Sequence, residues 1–377
     1  MGESNSLSIV EHFRDLPDPR IERHKRHILL DIIVIAICTV ICGGDSWVSM
    51  EFFGKAKEKW FKTFLKLPNG IPSHDTFRRV FLLLEPEKFA DCFLSWISAV
   101  SQVTKGEVVA LDGKTLRRSF DKASEQSALH MVSAWSSSNQ VSLGQIQVDE
   151  KSNEITAIPK LLDILNVSGC IVTIDAMGCQ KDIAAKIRDN AADYVLALKG
   201  NQGDLHADVE LFFQTEKATH FKEFKGDFYE TTDGEHGRIE VRRYFTTNEI
   251  DWLGADAEWK DIRSIGLVER ERTVEGKTSM ESAYYISSLD SSAQVFGNAV
   301  RSHWGIENSM HWVLDIAFRE DESRVRKGNG PQNFAMLRKI ALNLLKTEKS
   351  AKIGVKEKRL NAGWDHDYLI RVLFGRI

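Results

Sequence analysis

The chain has 377 residues, a formal net charge of −4 and 42% hydrophobic residues, which is typical of a globular protein and excludes an intrinsically disordered one. Its length predicts two or three structural units, since domains usually contain about 100–200 residues. The five cysteines are scattered and form no C-x-x-C pair, which excludes a disulfide framework and a cysteine-based structural zinc site.

The N-terminal part is predicted to be helical, with apolar spacing over 31–42, 46–65, 74–84 and 86–101. The longest apolar run, 28–42, is shorter than the roughly 20 residues of a membrane span, so we predict a buried helix. With no export signal, we expect a cytoplasmic protein with no membrane partner. Ser73 is the predicted N-cap of a basic helix with Arg78 and Arg79, which fits a helix-turn-helix or a packing element. Residues 1–104 are therefore a predicted helical domain that either binds DNA or packs.

After residue 105 the pattern changes to β-branched strands separated by helices. Strands are predicted in EVVALDG, ALHMVSAWSS and QVSLGQIQVDE, then a helix in SNEITAIPKLLDILN, a strand in GCIVTIDAMG, a helix in QKDIAAKIRDN and a strand in ADYVLALKGN. The order β-β-β-α-β-α-β predicts an α/β fold with a mixed sheet and flanking helices. Short alternating stretches over 205–290 predict a strand-rich insertion, and a long helix is predicted over 292–318.

Two of the predicted strands end in an aspartate. Asp112 ends EVVALD and is followed by Gly113, a pair that is also an ordinary turn signal, and Asp175 ends CIVTID. Functional sites gather at the carboxyl ends of strands in open α/β sheets. We therefore expect both carboxylates to surround one hard cation, which prefers oxygen ligands.

The predicted helix over 292–318 carries polar residues at a spacing of four, near one helical face: His303, Glu307, His311 and Asp315. Because Glu307 stands between Trp304 and Trp312, we expect it to be desolvated and to need a partner or a metal. Two sites fit this pattern. Glu307 could join His303 and His311 around zinc, or it could join the two aspartates around a hard cation, with the histidines supporting the ligands or contacting DNA.

Positive charge is concentrated near the C-terminus, where residues 324–359 contain eleven Lys or Arg against two Glu. Such a run is either a solvated helix face or a surface that holds a phosphate backbone. We predict backbone contacts from Arg324, Arg326, Lys327, Arg338 and Lys339, and a basic C-terminal tail over 348–377.

The sequence contains six blocks in a characteristic order: LDGKTLRRS, SNEITAIP, TIDAMGCQKDIA, YVLALKGNQ, HGRIEVR and RSHWGIENSMHWVLDIAFRED. Over nearly the whole chain they closely resemble the H-repeat-associated transposases of bacterial insertion sequences, in the DDE transposase superfamily. The resemblance implies a ribonuclease-H-like core in two parts, 105–204 and 291–347, with the insertion 205–290 between them. It also implies that Asp112, Asp175 and Glu307 are the catalytic and metal-binding residues.

The resemblance implies Mg²⁺ as the cofactor, with Mn²⁺ able to substitute, and no organic cofactor. Asp112 would bridge two ions, and Asp175 and Glu307 would each complete one side. The reaction would be cleavage at the element ends and strand transfer into target DNA, with double-stranded DNA as partner and a homodimer in the complex. Besides Arg324, Arg326 and Lys327, the expected DNA contacts are Lys114, Lys199, Asn201, Gln202, His236, Arg238, Arg301, His303 and His311.

Part of this set has a second interpretation. Residues 199–202 could equally be a polar segment that leaves the end of a strand.

The residues around Glu307 differ from those of related transposases, which often place an arginine and a lysine near the glutamate. Here His303 or Trp304 stands at the arginine position and Leu314 at the lysine position, with Arg301 one turn further back.

Three other functions compete with transposition. A stand-alone nuclease on the same core would cut DNA without joining it to a target, and a catalytically silent relative would only bind DNA. Paired carboxylates also fit glycoside hydrolysis, which does not account for the basic segment.

Overall fold

The computed structural model describes residues 8–101, 104–120, 128–148, 154–235, 237–254 and 259–375. Its N-terminal part is helical, as predicted, with helices α1 Ile9–His12, α2 Leu29–Ile41, α3 Trp47–Ala56, α4 Glu58–Phe61, α5 His74–Leu83 and α6 Pro86–Val100. The single helix expected over 46–65 is wrong, because the chain turns at Lys57 between α3 and α4. No described helix combines the length and apolar character that would let it cross a membrane.

The basic helix α5 is capped as predicted, since the Ser73 hydroxyl accepts a hydrogen bond from the Thr76 backbone N–H at 3.4 Å. The helix packs against α3 and against a later helix, α12 (Gly330–Thr347). Its apolar side, with Phe77, Val80 and Phe81, is fully buried. These contacts account for α5 as a packing element.

The centre of the molecule is a nine-stranded sheet in the order β3-β2-β1-β4-β5-β9-β8-β7-β6. Its first half has strands β1 Val108–Thr115, β2 His130–Ser136, β3 Val141–Val148, β4 Ile171–Ile174 and β5 Asp193–Leu198, with helices α7 Glu154–Ile164 and α8 Lys181–Asp189. Strands β1, β4 and β5 are parallel, whereas β2 and β3 are antiparallel. This confirms the β-β-β-α-β-α-β order and the ribonuclease-H-like mixed sheet.

The strand-rich stretch continues this sheet, because β9 pairs antiparallel with β5. Its elements are α9 Gly203–Ala218, β6 Asp227–Glu235, β7 Arg238–Thr247, β8 Ser264–Val274 and β9 Lys277–Ser287. The stretch is rich in strands, as predicted, but it also contains the helix over 203–218, which was not predicted. Strand β6 is the outer edge of the sheet and carries polar residues, which is how edge strands avoid pairing with other chains.

The helix predicted over 292–318 is confirmed, but it consists of three parts. Helix α10 (Ala293–Ile306) leads into a π-helical turn (Glu307–His311) and then into α11 (Trp312–Phe318). Phe296, Ala299 and Val300 of α10 pack on one face of the sheet with Val108 and Ile171. Helix α10 therefore fixes the height of the following π-helical turn above the strand ends.

Two glycines let α10 approach the sheet closely. A Cβ atom on Gly266 of β8 would lie 2.5 Å from Cζ of Phe296, and one on Gly297 of α10 would lie 2.9 Å from Cγ of Tyr244. Both aromatic rings are buried, so neither can move aside without loss of packing.

We expect Gly266→Ala to lower the free energy of unfolding by about 1–3 kcal/mol, because the added methyl overlaps a buried ring. Urea denaturation followed by circular dichroism measures this change. Gly234→Ala is the matched control, since a Cβ atom at this strand position meets nothing within 4 Å. Equal stability of the two variants would contradict the close approach of α10.

The prediction that Arg338 and Lys339 of the basic segment contact DNA is wrong. Helix α12 is buried along nearly its whole length, between α2, α5, α6 and strand β3, so that Arg338 and Lys339 are 2% and 3% exposed. They therefore do not form a solvated DNA-binding face. The segment 348–377 is not an extended tail either, because it folds as α13 Val355–Trp364 and α14 His366–Phe374, with Lys358 and Arg359 buried.

Candidate active site

Asp112 and Asp175 occupy equivalent positions on neighbouring strands. The parallel pairing of β1 with β4 ends at Leu111 and Ile174, and each aspartate is the next residue along its strand. Asp112 was predicted to be the last residue of its strand. This is wrong, because the pairing of β1 with β2 continues to Thr115. Both aspartates nevertheless line one cleft beside the end of the parallel ladder, where the strand-end hypothesis places a functional site.

Gly113 has a different role from the turn that the Asp-Gly pair also suggested. It lies within β1, and a Cβ atom there would overlap the Glu154 carboxylate and lie 2.6 Å from Nε2 of His130. His130 and Glu154 form a hydrogen bond of 2.8 Å at this point. The glycine therefore makes room for a His-Glu pair next to Asp112.

The π-helical turn brings Glu307 and His311 to Asp112. Nδ1 of His311 lies 3.3 Å from Oδ2 of Asp112 and 3.3 Å from Oε2 of Glu307. Each of the three side chains offers one ligand atom, and these atoms all lie within 4.8 Å of one another. Single π-helical turns inside α-helices are frequent at functional sites.

The prediction that Glu307 is desolvated is wrong. Its side chain is 57% exposed, and Trp304 and Trp312 are 44% and 59% exposed. This part of the helix forms the open rim of a cleft, so the neighbouring tryptophans do not enclose the carboxylate. Glu307 can reach a ligand from solvent without the cost of burial.

His303 does not join this group. Its Nδ1 lies 3.0 Å from the Thr173 hydroxyl, and the described residues that could hold a metal together are Asp112, Glu307 and His311. The His-Glu-His zinc alternative is therefore wrong. The carboxylate alternative remains a prediction, in which His311 supports the ligands through its contacts with Asp112 and Glu307.

The pKa values of the site reflect burial and this crowding of carboxylates. Burial raises the pKa of Asp175, backbone N–H groups of Gly178 and Met177 offset part of the rise, and the Glu154 and Asp112 carboxylates add to it. The hydrogen bond with His311 lowers the pKa of Glu307. Burial alone would lower the pKa of His311, but its bonds to Asp112 and Glu307 outweigh burial and raise it.

The carboxylates open into a cleft of about 730 Å³. One wall comes from the predicted insertion, with Arg270 of β8 and Tyr284 of β9, and Lys199 and Trp304 also line it. The Arg270 guanidinium lies 5.1 Å from the centre of the Trp304 ring, a cation–π distance. Arg270 and Tyr284 were not predicted, since only the tertiary fold brings the insertion strands beside the strand ends.

Two predicted DNA contacts hold the loop after Asp175. The side-chain amide of Asn201 donates to the Ala176 carbonyl at 2.7 Å, and that of Gln202 donates to the Cys179 carbonyl at 2.7 Å. Lys199 is exposed and lines the cleft.

The other predicted contacts are dispersed. Arg301 is exposed and pairs with Asp233 at 3.3 Å, and Arg238 is half exposed. Arg324 and Lys327 are exposed, whereas Arg326 donates to the Arg118 carbonyl at 3.0 Å. His236 lies outside the described residues.

Lys114 was predicted to contact DNA, and this prediction is wrong. The lysine belongs instead to a largely buried cluster of charged residues next to Asp112. We call Lys114, Asp315, Glu320 and Lys339 the sub-site cluster. Lys114 pairs with Asp315 and, at 3.1 Å, with Glu320. Lys339 donates to the Ser133 hydroxyl at 2.6 Å and to Oε1 of Gln145 at 2.5 Å.

Burial sets the charge balance of this cluster. It lowers the pKa of Lys339 to about 8. It would raise the pKa of the fully buried Glu320, but Lys114, Arg338 and Lys339 reverse the effect and lower it. Ser133 lies directly opposite Asp112 in the β1–β2 pairing, so the sub-site cluster supports the strand that carries the first aspartate.

The donor atoms at the site fit a divalent cation. Carboxylate oxygens are the ligands that hard divalent cations prefer, and Oδ1 of Asp175 accepts from the Met177 N–H at 3.1 Å, which leaves Oδ2 for a ligand. The exposed Glu307 and the half-buried Asp112 can both be reached from the cleft.

Comparison with known proteins shows that the chain is similar to transposases. A family model described as "Transposase DDE domain" matches residues 104–344, and one described as "DDE_Tnp_1-associated" matches residues 10–97. "Putative transposase YncI" of Escherichia coli O157:H7 is 42% identical over 370 residues, 97% of this chain and 94% of the relative. "H repeat-associated putative transposase YhhI" of Escherichia coli K12 is 39% identical over 372 residues, 97% and 98% of the two chains.

Among solved structures, a piggyBac transposase synaptic complex with hairpin DNA aligns with 98% of this chain and 78% of that chain. The sequence identity is 12% and the TM-score 0.44.

Proposed function

The chain belongs to the DDE transposase family, and from this premise we propose that it cuts DNA at the ends of a bacterial insertion sequence and joins the freed 3′ ends to target DNA. The observation that carries the proposal is that Asp112, Asp175 and Glu307 all line one open cleft. Because the proposed substrate is the bacterial chromosome, the reaction would take place in the cytoplasm. Two copies of the chain would hold the two ends.

The proposed chemistry needs little from the protein beyond placement and charge. Divalent cations, when bound, neutralise charge at the scissile phosphate and lower the pKa of water, so that it can lose a proton and attack the phosphorus atom. Asp112 would hold both cations, with Asp175 on one side and Glu307 on the other. Mg²⁺ is the proposed ion, and the all-oxygen donors of the two aspartates suit it.

The remaining residues would position the reacting groups. Asn201 and Gln202 hold the loop that follows Asp175, which limits movement of that carboxylate. Lys199 at the cleft would contact the DNA backbone near the scissile phosphate, and exposed Arg324 and Lys327 would contact it further away, in a salt-dependent manner. Accurate positioning of this kind lowers the barrier to attack.

The test is incubation of the full-length protein with linear DNA carrying both flanks of its own gene, together with supercoiled target DNA. In Mg²⁺ we expect nicks that leave a 3′-hydroxyl at each flank, followed by covalent joining to the target. EDTA should reduce both products to background, because the carboxylates alone cannot activate water, and added Mg²⁺ should restore them.

The competing functions give different products in the same tubes. Cutting without joining, with target DNA present, would favour the stand-alone nuclease. Retarded migration of the flanking DNA on a gel, without any cutting in Mg²⁺ or Mn²⁺, would favour the silent DNA-binding relative. Cutting that is equally fast in EDTA would contradict the metal-dependent mechanism.

A further inference from the structure

We propose that the two cation positions of this site differ chemically, because His311 is a direct nitrogen ligand of the cation on the Glu307 side. This inference rests on the proposed function, since it assumes that the carboxylates hold divalent cations. It adds to the three carboxylates one donor that the Asp-Asp-Glu pattern does not contain.

The first support is the distance of the imidazole from the two carboxylates. Nδ1 of His311 is 3.3 Å from an oxygen of Asp112 and 3.3 Å from an oxygen of Glu307. Hydrogen bonds between charged groups of this kind usually measure about 2.7–2.9 Å. Adjacent ligands of a six-coordinate cation, each about 2.1 Å from the metal, lie about 3 Å apart. A spacing of 3.3 Å therefore fits neighbouring ligands of a shared cation as well as a long hydrogen bond.

The second support is the fixed position of the ring. The His311 side chain is 5% exposed, and its Nε2 is buried with no hydrogen-bond partner among the described residues. The two carboxylates are thus the polar groups that orient the ring. The π-helical turn places Glu307 and His311 side by side over Asp112, so Nδ1 points to the space between their oxygens.

The Asp175 side of the site offers oxygen only. Asp175 is not among the described residues that group with His311. The two histidines that line the cleft face other groups, His303 the Thr173 hydroxyl and His206 the Glu210 carboxylate. One oxygen of Asp175 is occupied by backbone N–H groups. An all-oxygen position suits Mg²⁺, whereas a nitrogen donor strengthens the binding of transition ions relative to Mg²⁺. The Glu307 side should therefore bind Mn²⁺ in preference to Mg²⁺.

The test uses Mn²⁺ as a paramagnetic probe, bound at one equivalent to the full-length protein without DNA. Electron spin-echo spectroscopy detects nitrogen nuclei that are directly bonded to Mn²⁺. We expect a ¹⁴N coupling in the wild type, and a ¹⁵N coupling in its place after labelling with [¹⁵N]histidine, which needs no substitution. His311→Gln should abolish the coupling and weaken Mn²⁺ binding at least about 10-fold.

His303→Gln is the matched control, since this histidine lies in the same cleft and should leave the coupling unchanged. Mn²⁺ that binds without nitrogen coupling would overturn the role of His311 while leaving the proposed function intact. A coupling that disappears in His303→Gln and persists in His311→Gln would overturn it as well. Failure of the wild type to bind Mn²⁺ or Mg²⁺ with or without DNA would contradict both the inference and the proposed function.

Discussion

Asp112→Asn should reduce Mg²⁺-dependent DNA cleavage at least about 10³-fold, the order of loss expected when preorganised charge at the reacting phosphate is removed. Asp112 lies at the end of the parallel ladder and contacts the Glu307 side of the site through His311. An amide keeps the shape of the side chain but removes the charge that two cations would share. Single-turnover cleavage of the flanking DNA measures the rate.

Two controls separate this loss from damage to the fold. Asp163→Asn changes an exposed aspartate of α7 that pairs with Lys186 and should cleave at the wild-type rate. The affinity of Asp112→Asn for the flanking DNA in EDTA should equal that of the wild type, because the proposed role of Asp112 is to hold cations rather than DNA. Cleavage by Asp112→Asn within about 10-fold of wild type would remove Asp112 from the catalytic group.

Glu320→Gln should lower the free energy of unfolding by about 3–5 kcal/mol, the cost of removing one partner from a buried ion pair. Glu320 is 3% exposed and its carboxylate faces the buried cations Lys114, Arg338 and Lys339. A neutral amide would leave these positive charges in a medium of low polarity with less compensation. Chemical denaturation at pH 7 measures the change.

The matched control is Glu322→Gln, two residues further along the chain. Glu322 pairs with Arg319, but both side chains are more than half exposed, and solvent screens such pairs strongly. We expect no measurable loss of stability in this variant. If Glu320→Gln were as stable as Glu322→Gln, the sub-site cluster would not depend on its buried carboxylate.

Much of the core could be predicted from the sequence because its signals are local. The strands that lead to Asp112 and Asp175 are rich in β-branched residues, and their order along the chain restricts the sheet to few topologies. The Ser73 cap and the long helix with Glu307 also have local signals. In each case the residues that determine the structure lie within a few positions of one another.

The errors arise where distant residues decide the outcome. Lys114 and Glu320 are separated by 206 positions, so nothing in the sequence predicts that this lysine is paired and buried. The basic run over 324–359 suggested a solvated face, yet the core needs α12 at its centre, and Arg338 and Lys339 are buried with it. Spacing of four predicted a regular α-helical face around Glu307, whereas the π-helical turn brings His311 to Asp112 and leaves His303 against Thr173.

The continuity of the nine-stranded sheet has a mechanical consequence for the substrate. The carboxylates stand on β1 and β4, and the cleft wall with Arg270 and Tyr284 stands on β8 and β9, all joined by one ladder of hydrogen bonds. Floor and wall therefore belong to one hydrogen-bonded sheet, so the twist of that sheet sets the width between them.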